Sequence, residues 1–321
     1  MILSYVAVFL IFLLLGLVYY RLAVKFGIFD TPNQRSSHTK ATVRGGGILF
    51  PFAVILWWLI FDFQNTWMLI GMLWISSISM LDDIYSLSRK LRFGIQFLAL
   101  TMAFYDLDVF QMIDWYYLPI FYFIGLGVIN AVNFMDGING MTGVYGLVFF
   151  SSLLAVNQYM PYFQNELLHY EILAICVFLF FNFRKKAIMF AGDIGSISIA
   201  YLMIYFLTKW YITVGNWTII LFLAVYGVDV FITIVQRIQN GEKVTEPHRT
   251  HLYQRLVNQT KIPHVIVSVV YAILQFGINL GFFILPKGYP EPRTAFAFLI
   301  ILGLIYLMIK RRFQSIEKTV E

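Results

Sequence analysis

Six groups of polar residues interrupt an otherwise apolar chain, and their types and spacing point to one kind of chemistry. Asp82 and Asp83 adjoin in Met80-Leu-Asp-Asp-Ile-Tyr-Ser. Neighbouring carboxylates repel, so a pair at a low-dielectric boundary asks for a cation between them or for one proton to be held; the plain alternative is a solvated helix end. Asn130, Asn133 and Asp136 recur at intervals of three, which sets them on one helical face. Gly137, Gly140 and Gly143 continue the interval and would admit a ligand or a neighbouring helix close to the backbone. Asp193, in Phe190-Ala-Gly-Asp-Ile-Gly-Ser, reads as a helix cap if taken alone; beside Asp82, Asp83 and Asp136 it makes a fourth carboxylate able to handle phosphate or metal. Lys40 and Arg44 stand in a hydroxyl- and glycine-rich run that suits an anion, although cations there also serve membrane topology. His248, Arg249, His251 and Arg255 crowd residues 246–256. Two histidines three apart are too few for zinc and Cys176 is remote in sequence, so anion binding or proton transfer fits better. Asp229 lies inside an apolar run with Arg237 eight residues on; an acid there is costly and a functional candidate, with structural ion pairing as the alternative.

Several carboxylates beside several cations fit a metal-assisted reaction on phosphate, because Mg²⁺ takes one or two carboxylates and fills its remaining positions with substrate oxygens and water. Phosphoryl transfer then needs cations for the leaving group and an in-line nucleophile. His169, His264, Asp106, Asp108 and Asp114 read as solvated or interfacial.

The elements that must position these groups are transmembrane helices. Of 321 residues, 60% are apolar and only 12% charged, with one cysteine, which excludes disordered, collagenous and disulfide-built classes and a soluble single domain. Eleven apolar stretches approach the length needed to cross a bilayer: 2–20, 46–61, 67–81, 93–104, 117–131, 143–156, 167–183, 197–210, 217–235, 265–285 and 295–309, the fourth being the weakest. The expected fold is therefore all-α, a polytopic membrane protein of 10 or 11 spans forming a single domain over residues 1–321. Alternate loops hold 20 and three of the Lys and Arg residues. Basic residues stay cytoplasmic, so the N-terminus is expected outside and the C-terminus inside. The net charge of +6 is dispersed between apolar runs, which argues against a nucleic-acid partner. The first apolar run has no basic n-region and no small-residue cleavage site, so it reads as an anchor. The candidate groups map to the cytoplasmic ends, apart from Asp229 within its span, whereas His169, Asp106, Asp108 and Asp114 fall on the outer side.

The chain resembles the polyprenyl-phosphate N-acetylhexosamine-1-phosphate transferases, the MraY/WecA-like family of glycosyltransferase family 4. The motifs are, in order, Asp30-Thr-Pro-Asn-Gln-Arg-Ser-Ser-His with Arg44-Gly-Gly-Gly, Asp82-Asp83, Asn133-Phe-Met-Asp136-Gly137, Gly192-Asp193-Ile-Gly195-Ser196, Asp229 with Arg237, and His248-Arg-Thr-His251-Leu. The resemblance implies transfer of a sugar 1-phosphate from a UDP-N-acetylhexosamine to undecaprenyl phosphate at the cytoplasmic face of a bacterial inner membrane, with release of UMP and initiation of O-antigen or another surface glycan. It implies Mg²⁺, with Mn²⁺ as the alternative ion, on Asp193 and Asp82, and catalytic roles for Asp82, Asp83, Asp193 and His251. Lys40, Arg44, Asn133, Asp136, His248, Arg249 and Arg255 fall to substrate binding, with Asp229 and Arg237 behind them. Family members often pair, so a homodimer is admitted. Two motifs depart from the family: Tyr253 and Gln254 stand for the second and third histidines of the inner motif, and Ser86 replaces the last acid after Asp82-Asp83. The first departure argues for the WecA/WbpL-like branch and against the muramoyl-pentapeptide branch. A proton-coupled transporter or flippase is the competing class; it would place its acids near the midplane and show inverted repeats, whereas these acids gather at one face and no repeat is visible.

Overall fold

The computed structural model describes residues 2–32, 40–243 and 249–320; His248 and residues 33–39 of the first inner loop lie outside them. Long apolar runs satisfy their backbone in hydrocarbon only as helices or closed barrels, and here they are helices. In chain order these are α1 (Ile2–Phe26), α2 (Leu49–Ile60), α3 (Thr66–Tyr85), α4 (Arg89–Asp106), α5 (Val109–Met112), α6 (Leu118–Met135), α7 (Met141–Asn157), α8 (Asn165–Asn182), α9 (Gly192–Val214), α10 (Ala224–Gln239), α11 (Leu252–Asn258), α12 (His264–Asn279) and α13 (Pro292–Val320). A 3₁₀ segment, Trp217–Leu223, leads into α10, and a π-helical segment, Leu280–Ile284, extends α12. Two short antiparallel strands, β1 (Phe29–Asp30) and β2 (Thr42–Val43), pair Phe29 with Val43 and Asp30 with Thr42.

Each of the eleven expected segments falls on a helix, but among the described residues eight helical stretches are long and apolar enough to span a membrane. Gly46–Ile60 and Met141–Asn157 are apolar but shorter. Helix α4, the weakest expected span, opens with Arg89, Lys90 and Arg92 and is far less apolar than its neighbours. The surface agrees with a lipid environment. Helices α1 and α13 leave Leu3, Leu10, Leu14, Phe296, Ile301 and Leu304 exposed, a surface that water would not tolerate over such an area.

Helix α9 is the axis. Nearly all its residues from Gly192 to Trp210 are buried, enclosed mainly by α3 and α6 with contributions from α2 and α4. Small residues make that density possible: Gly195 meets Gly47 backbone to backbone, and Ser198 hydrogen-bonds Ser76 of α3 at 2.7 Å. Polar side chains also tie down elements other than their own. Asp106, at the end of α4, accepts the Met68 N–H at the start of α3 at 2.6 Å, so this residue, expected to be solvated or interfacial, is half-buried and serves as a cap. His264 likewise lies within hydrogen-bonding distance, 3.4 Å, of the Asn139 N–H.

Candidate active site at one end of the bundle

The acidic helix ends converge. Asp82 and Asp83 occupy the last turn of α3, and Asp193 the first turn of α9. The Asp83 carboxylate accepts the N–H groups of Asp193 at 3.0 Å and Ile194 at 3.4 Å, capping α9 from the neighbouring helix. Gly192 makes room for this: its φ is +73°, and a Cβ there would stand 2.5 Å from Asp83 Oδ2. Two arginines bind the cluster. Arg44 Nη2 lies 2.6 Å from Asp83 Oδ1 and 3.2 Å from Asp193 Oδ1. Arg92 Nη1 lies 2.6 Å from Asp82 Oδ2 and 3.9 Å from Asp193 Oδ2. Burial alone would lower the Arg44 pKa, but the carboxylates of Asp83 and Asp193 outweigh it and raise it, so this guanidinium is permanently charged. Its loop is held by the Tyr19 hydroxyl donating to the Arg44 carbonyl at 2.6 Å and by Gly46 and Gly47 N–H groups donating to the carbonyls of Phe190 and Ala191 at 2.8 and 3.0 Å. Lys40 is exposed just before β2, four residues from Arg44.

The three amide and acid residues that share a spacing do not share a partner. Asn130 turns to Gln96 and to its own helix. Asn133 donates to Ser196 Oγ of α9 at 3.0 Å. Asp136 ends α6 and accepts from Thr142 Oγ1 at 2.5 Å. Burial raises its carboxyl to about 7, the Thr142 hydrogen bond working the other way. Gly140 and Gly143 receive Phe183 and Leu179 side chains, so their smallness serves packing.

The inner histidine motif is tied to the intramembrane acid. His251 Nδ1 is 2.9 Å from Asp229 Oδ1. Asp229 also accepts from Tyr306 at 2.6 Å and Tyr271 at 2.7 Å. Thr233 bonds Asp229 at 3.3 Å and accepts from Lys310 Nζ at 2.7 Å. A carboxylate at Nδ1 assigns the ring proton to that nitrogen and fixes the ring's orientation. Arg237 engages Glu242 at 2.9 Å and the Lys243 carbonyl at 2.7 Å. Arg255 is buried on α11, and Arg249 is half-buried just before it. The two departures from the histidine pattern have structural work. Tyr253 donates to the Phe134 carbonyl at 2.8 Å and packs into the space left by Gly137, and Gln254 completes the capping box of α11 with His251. Ser86 ends α3 with φ +52°, a conformation for which Asp or Asn is also suited.

An apolar groove of about 780 Å³ runs along α4, α6 and α10, lined by Phe97, Tyr122, Leu126, Phe134, Val230 and Ile234 among others. Phe134, one residue from Asn133, lines it, and the Phe134 ring lies 6.4 Å from that of His251.

Among the described residues no three metal-ligating side chains cluster. The donor chemistry nevertheless fits a hard divalent ion: Asp82 and Asp193 present oxygens to one shared cation, Arg92 Nη1, and Mg²⁺ needs no more than two carboxylates when substrate oxygens and water complete its shell. Sequence reasoning brought Asp82, Asp83, Asp193 and Arg44 to one place, and Asn133 and Asp136 beside it. It missed Arg92, counted only as a topological charge, Tyr271 and Tyr306, which reach Asp229 from distant helices, and Lys310, which reaches Thr233 beside it. It also missed Glu171, a wholly buried acid in α8 with both oxygens unpartnered; the cost of an acid within a span was the signal available.

A family model described as glycosyl transferase family 4 matches residues 65–211. The chain is 26% identical over 277 residues to a Bacillus subtilis (strain 168) protein described as a probable undecaprenyl-phosphate N-acetylglucosaminyl 1-phosphate transferase, an alignment covering 79% of this chain and 76% of that protein. These findings bear out the family resemblance read from the motifs.

Proposed function

We propose that this relative of the family-4 glycosyl transferases transfers N-acetylhexosamine 1-phosphate from a UDP-sugar to undecaprenyl phosphate at the cytoplasmic face of a bacterial inner membrane, releasing UMP and initiating O-antigen or another surface glycan. The observation that carries it is the junction of Arg44, Asp82, Asp83, Arg92 and Asp193, drawn from separate segments, at the same bundle end where an apolar groove terminates. The groove fits a polyprenyl tail and the charged cluster a diphosphate. An oxygen of the acceptor phosphate attacks the sugar-side phosphorus of the donor; the bond from that phosphorus to the bridging oxygen breaks, and the bridging oxygen leaves on UMP. Mg²⁺ or Mn²⁺ held by Asp82 and Asp193 would neutralise diphosphate charge. Arg44 stabilises charge developing on the leaving phosphate. Asp83, fully enclosed, positions Arg44 and the first amides of α9. Asn133 and Asp136 face the nucleotide side with Lys40 and Arg249, and Asp229 orients His251. The Tyr253 and Gln254 substitutions support a WecA/WbpL-like branch.

Purified protein with Mg²⁺, undecaprenyl phosphate and a panel of UDP-GlcNAc, UDP-GalNAc and their 6-deoxy relatives should form UMP and lipid-linked sugar with at least one donor, and a chelator should stop it. Asp193→Asn should lower turnover by roughly 100-fold or more; near-normal turnover would refute the metal assignment. Potential-dependent solute flux without UMP would replace the transferase with a transporter.

A further inference from the structure

Arg92 sits where two carboxylates from different helices face one another across a single cation. Its Nη1 is 2.6 Å from Asp82 Oδ2 and 3.9 Å from Asp193 Oδ2, while its Nε is buried with no acceptor. Nothing in α4 itself favours a cation there: Arg89, Lys90 and Arg92 crowd the first turn, which contains no acid, and the positive end of the helix dipole repels them. The Arg92 side chain is therefore held by the carboxylates of α3 and α9. It also remains about one-third exposed, at 34%. Arg44 differs, since its main partner, Asp83, is enclosed and committed to the amides of α9.

We propose that Arg92 is a placeholder for the divalent ion. It joins Asp82 to Asp193 while the ion is absent, is displaced from them when the ion binds, and is thereby delivered to an oxygen of the anionic diphosphate, for which its Nε is an uncommitted donor. The identity of the anion rests on the transferase reading; the competition between guanidinium and divalent ion does not. An ion within about 2.1 Å of both carboxylates would stand against the guanidinium, and two cations cannot share those oxygens without strong repulsion. Displacement therefore opposes metal binding until an anion receives the arginine, which couples the two ligands reciprocally.

The test is a thermal-shift titration of the purified full chain with Mg²⁺, without substrates and then with UDP. Arg92→Gln should melt lower than the wild type in the absence of metal and should shift the Mg²⁺ midpoint roughly tenfold toward lower concentration. Arg92→Lys should shift it less in the same direction, and it carries the test if Arg92→Gln does not fold. UDP should lower the wild-type Mg²⁺ midpoint and lower that of the variants by a smaller factor. A variant midpoint equal to or above the wild type's, or a wild type whose melting ignores Mg²⁺, overturns the inference. The wild-type UMP assay is read separately: no UMP beside the expected shifts removes the transferase reading and leaves the cation exchange standing.

Discussion

Burial moves the Asp136 carboxyl from an ordinary value of 3.8 to about 7, which fixes the sign of two pH effects. The folded chain holds this proton more tightly than the unfolded chain, so the stabilisation is complete below the unfolded value and lost as pH rises through about 7. Asp136→Asn should flatten that part of a melting-temperature profile; an unchanged slope between pH 5 and 8, a window bracketing the shifted value, would remove the assignment. If the carboxylate form is the one that binds the nucleotide, KM for the UDP-sugar should fall as pH rises through 7, and the asparagine variant should lose this dependence. Glu171 gives a contrasting expectation. With both oxygens buried and unpartnered, it contributes desolvation cost and no bond, so Glu171→Leu should leave turnover unchanged and raise the melting temperature. A sharp loss of activity would instead assign this acid a role. Residue types showed where polar groups carry a cost, which is why Asp82, Asp83, Asp193 and Asp229 were legible in sequence. Their partners were not: Tyr306 lies 77 positions from Asp229, and tyrosine in a membrane helix raises no suspicion by itself.

At the scale of elements, the end of the bundle that carries the acidic cluster is a set of helix termini that hold one another in place. Asp83 caps α9 from α3, and Tyr253 ties the start of α11 to the end of α6. Spacing alone suggested that Gly137, Gly140 and Gly143 formed a surface for close approach, and they do, but each receives a different neighbour: Tyr253, Phe183 and Leu179. Periodicity reports which face a residue occupies and says nothing of what packs there. Gly137→Ala would drive a methyl into the Tyr253 hydroxyl, so it should cost about 1–3 kcal/mol and raise KM for the UDP-sugar by moving the Asn133–Asp136 segment. Tyr253→Phe removes the hydroxyl that the methyl meets; in the double variant it should recover part of both losses, and additive losses would show that the contact does not couple the two loops. Helix number was legible as far as apolar length allows. Eleven runs did become helices, but α4 carries its basic first turn into the bundle because Arg92 belongs to the site, and that turn lowers its hydropathy.

For the whole molecule, the decisive arrangement is an apolar groove on the same bundle as the charged cluster. The groove along α4, α6 and α10 is lined mostly by apolar side chains, Asn130 being an exception, and includes Phe134, next to Asn133 in sequence and with its ring 6.4 Å from that of His251. A water-soluble acceptor would gain nothing from such a surface, whereas a polyprenyl phosphate can bury its tail there while its phosphate meets the acidic cluster. Gly127 permits a direct test, because it lines this groove and a Cβ built on it meets nothing within 4 Å. Gly127→Phe should fill the groove without disturbing the fold. KM for undecaprenyl phosphate should then rise roughly tenfold, in line with loss of one well-buried apolar contact, while KM for the UDP-sugar and the melting temperature stay where they were. Gly277, equally open on α12 but lining a separate apolar recess, supplies the control: Gly277→Phe should change neither KM. Equal effects of the two substitutions, or a rise in the donor KM alone, would mean that the acceptor reaches the charged end by another path.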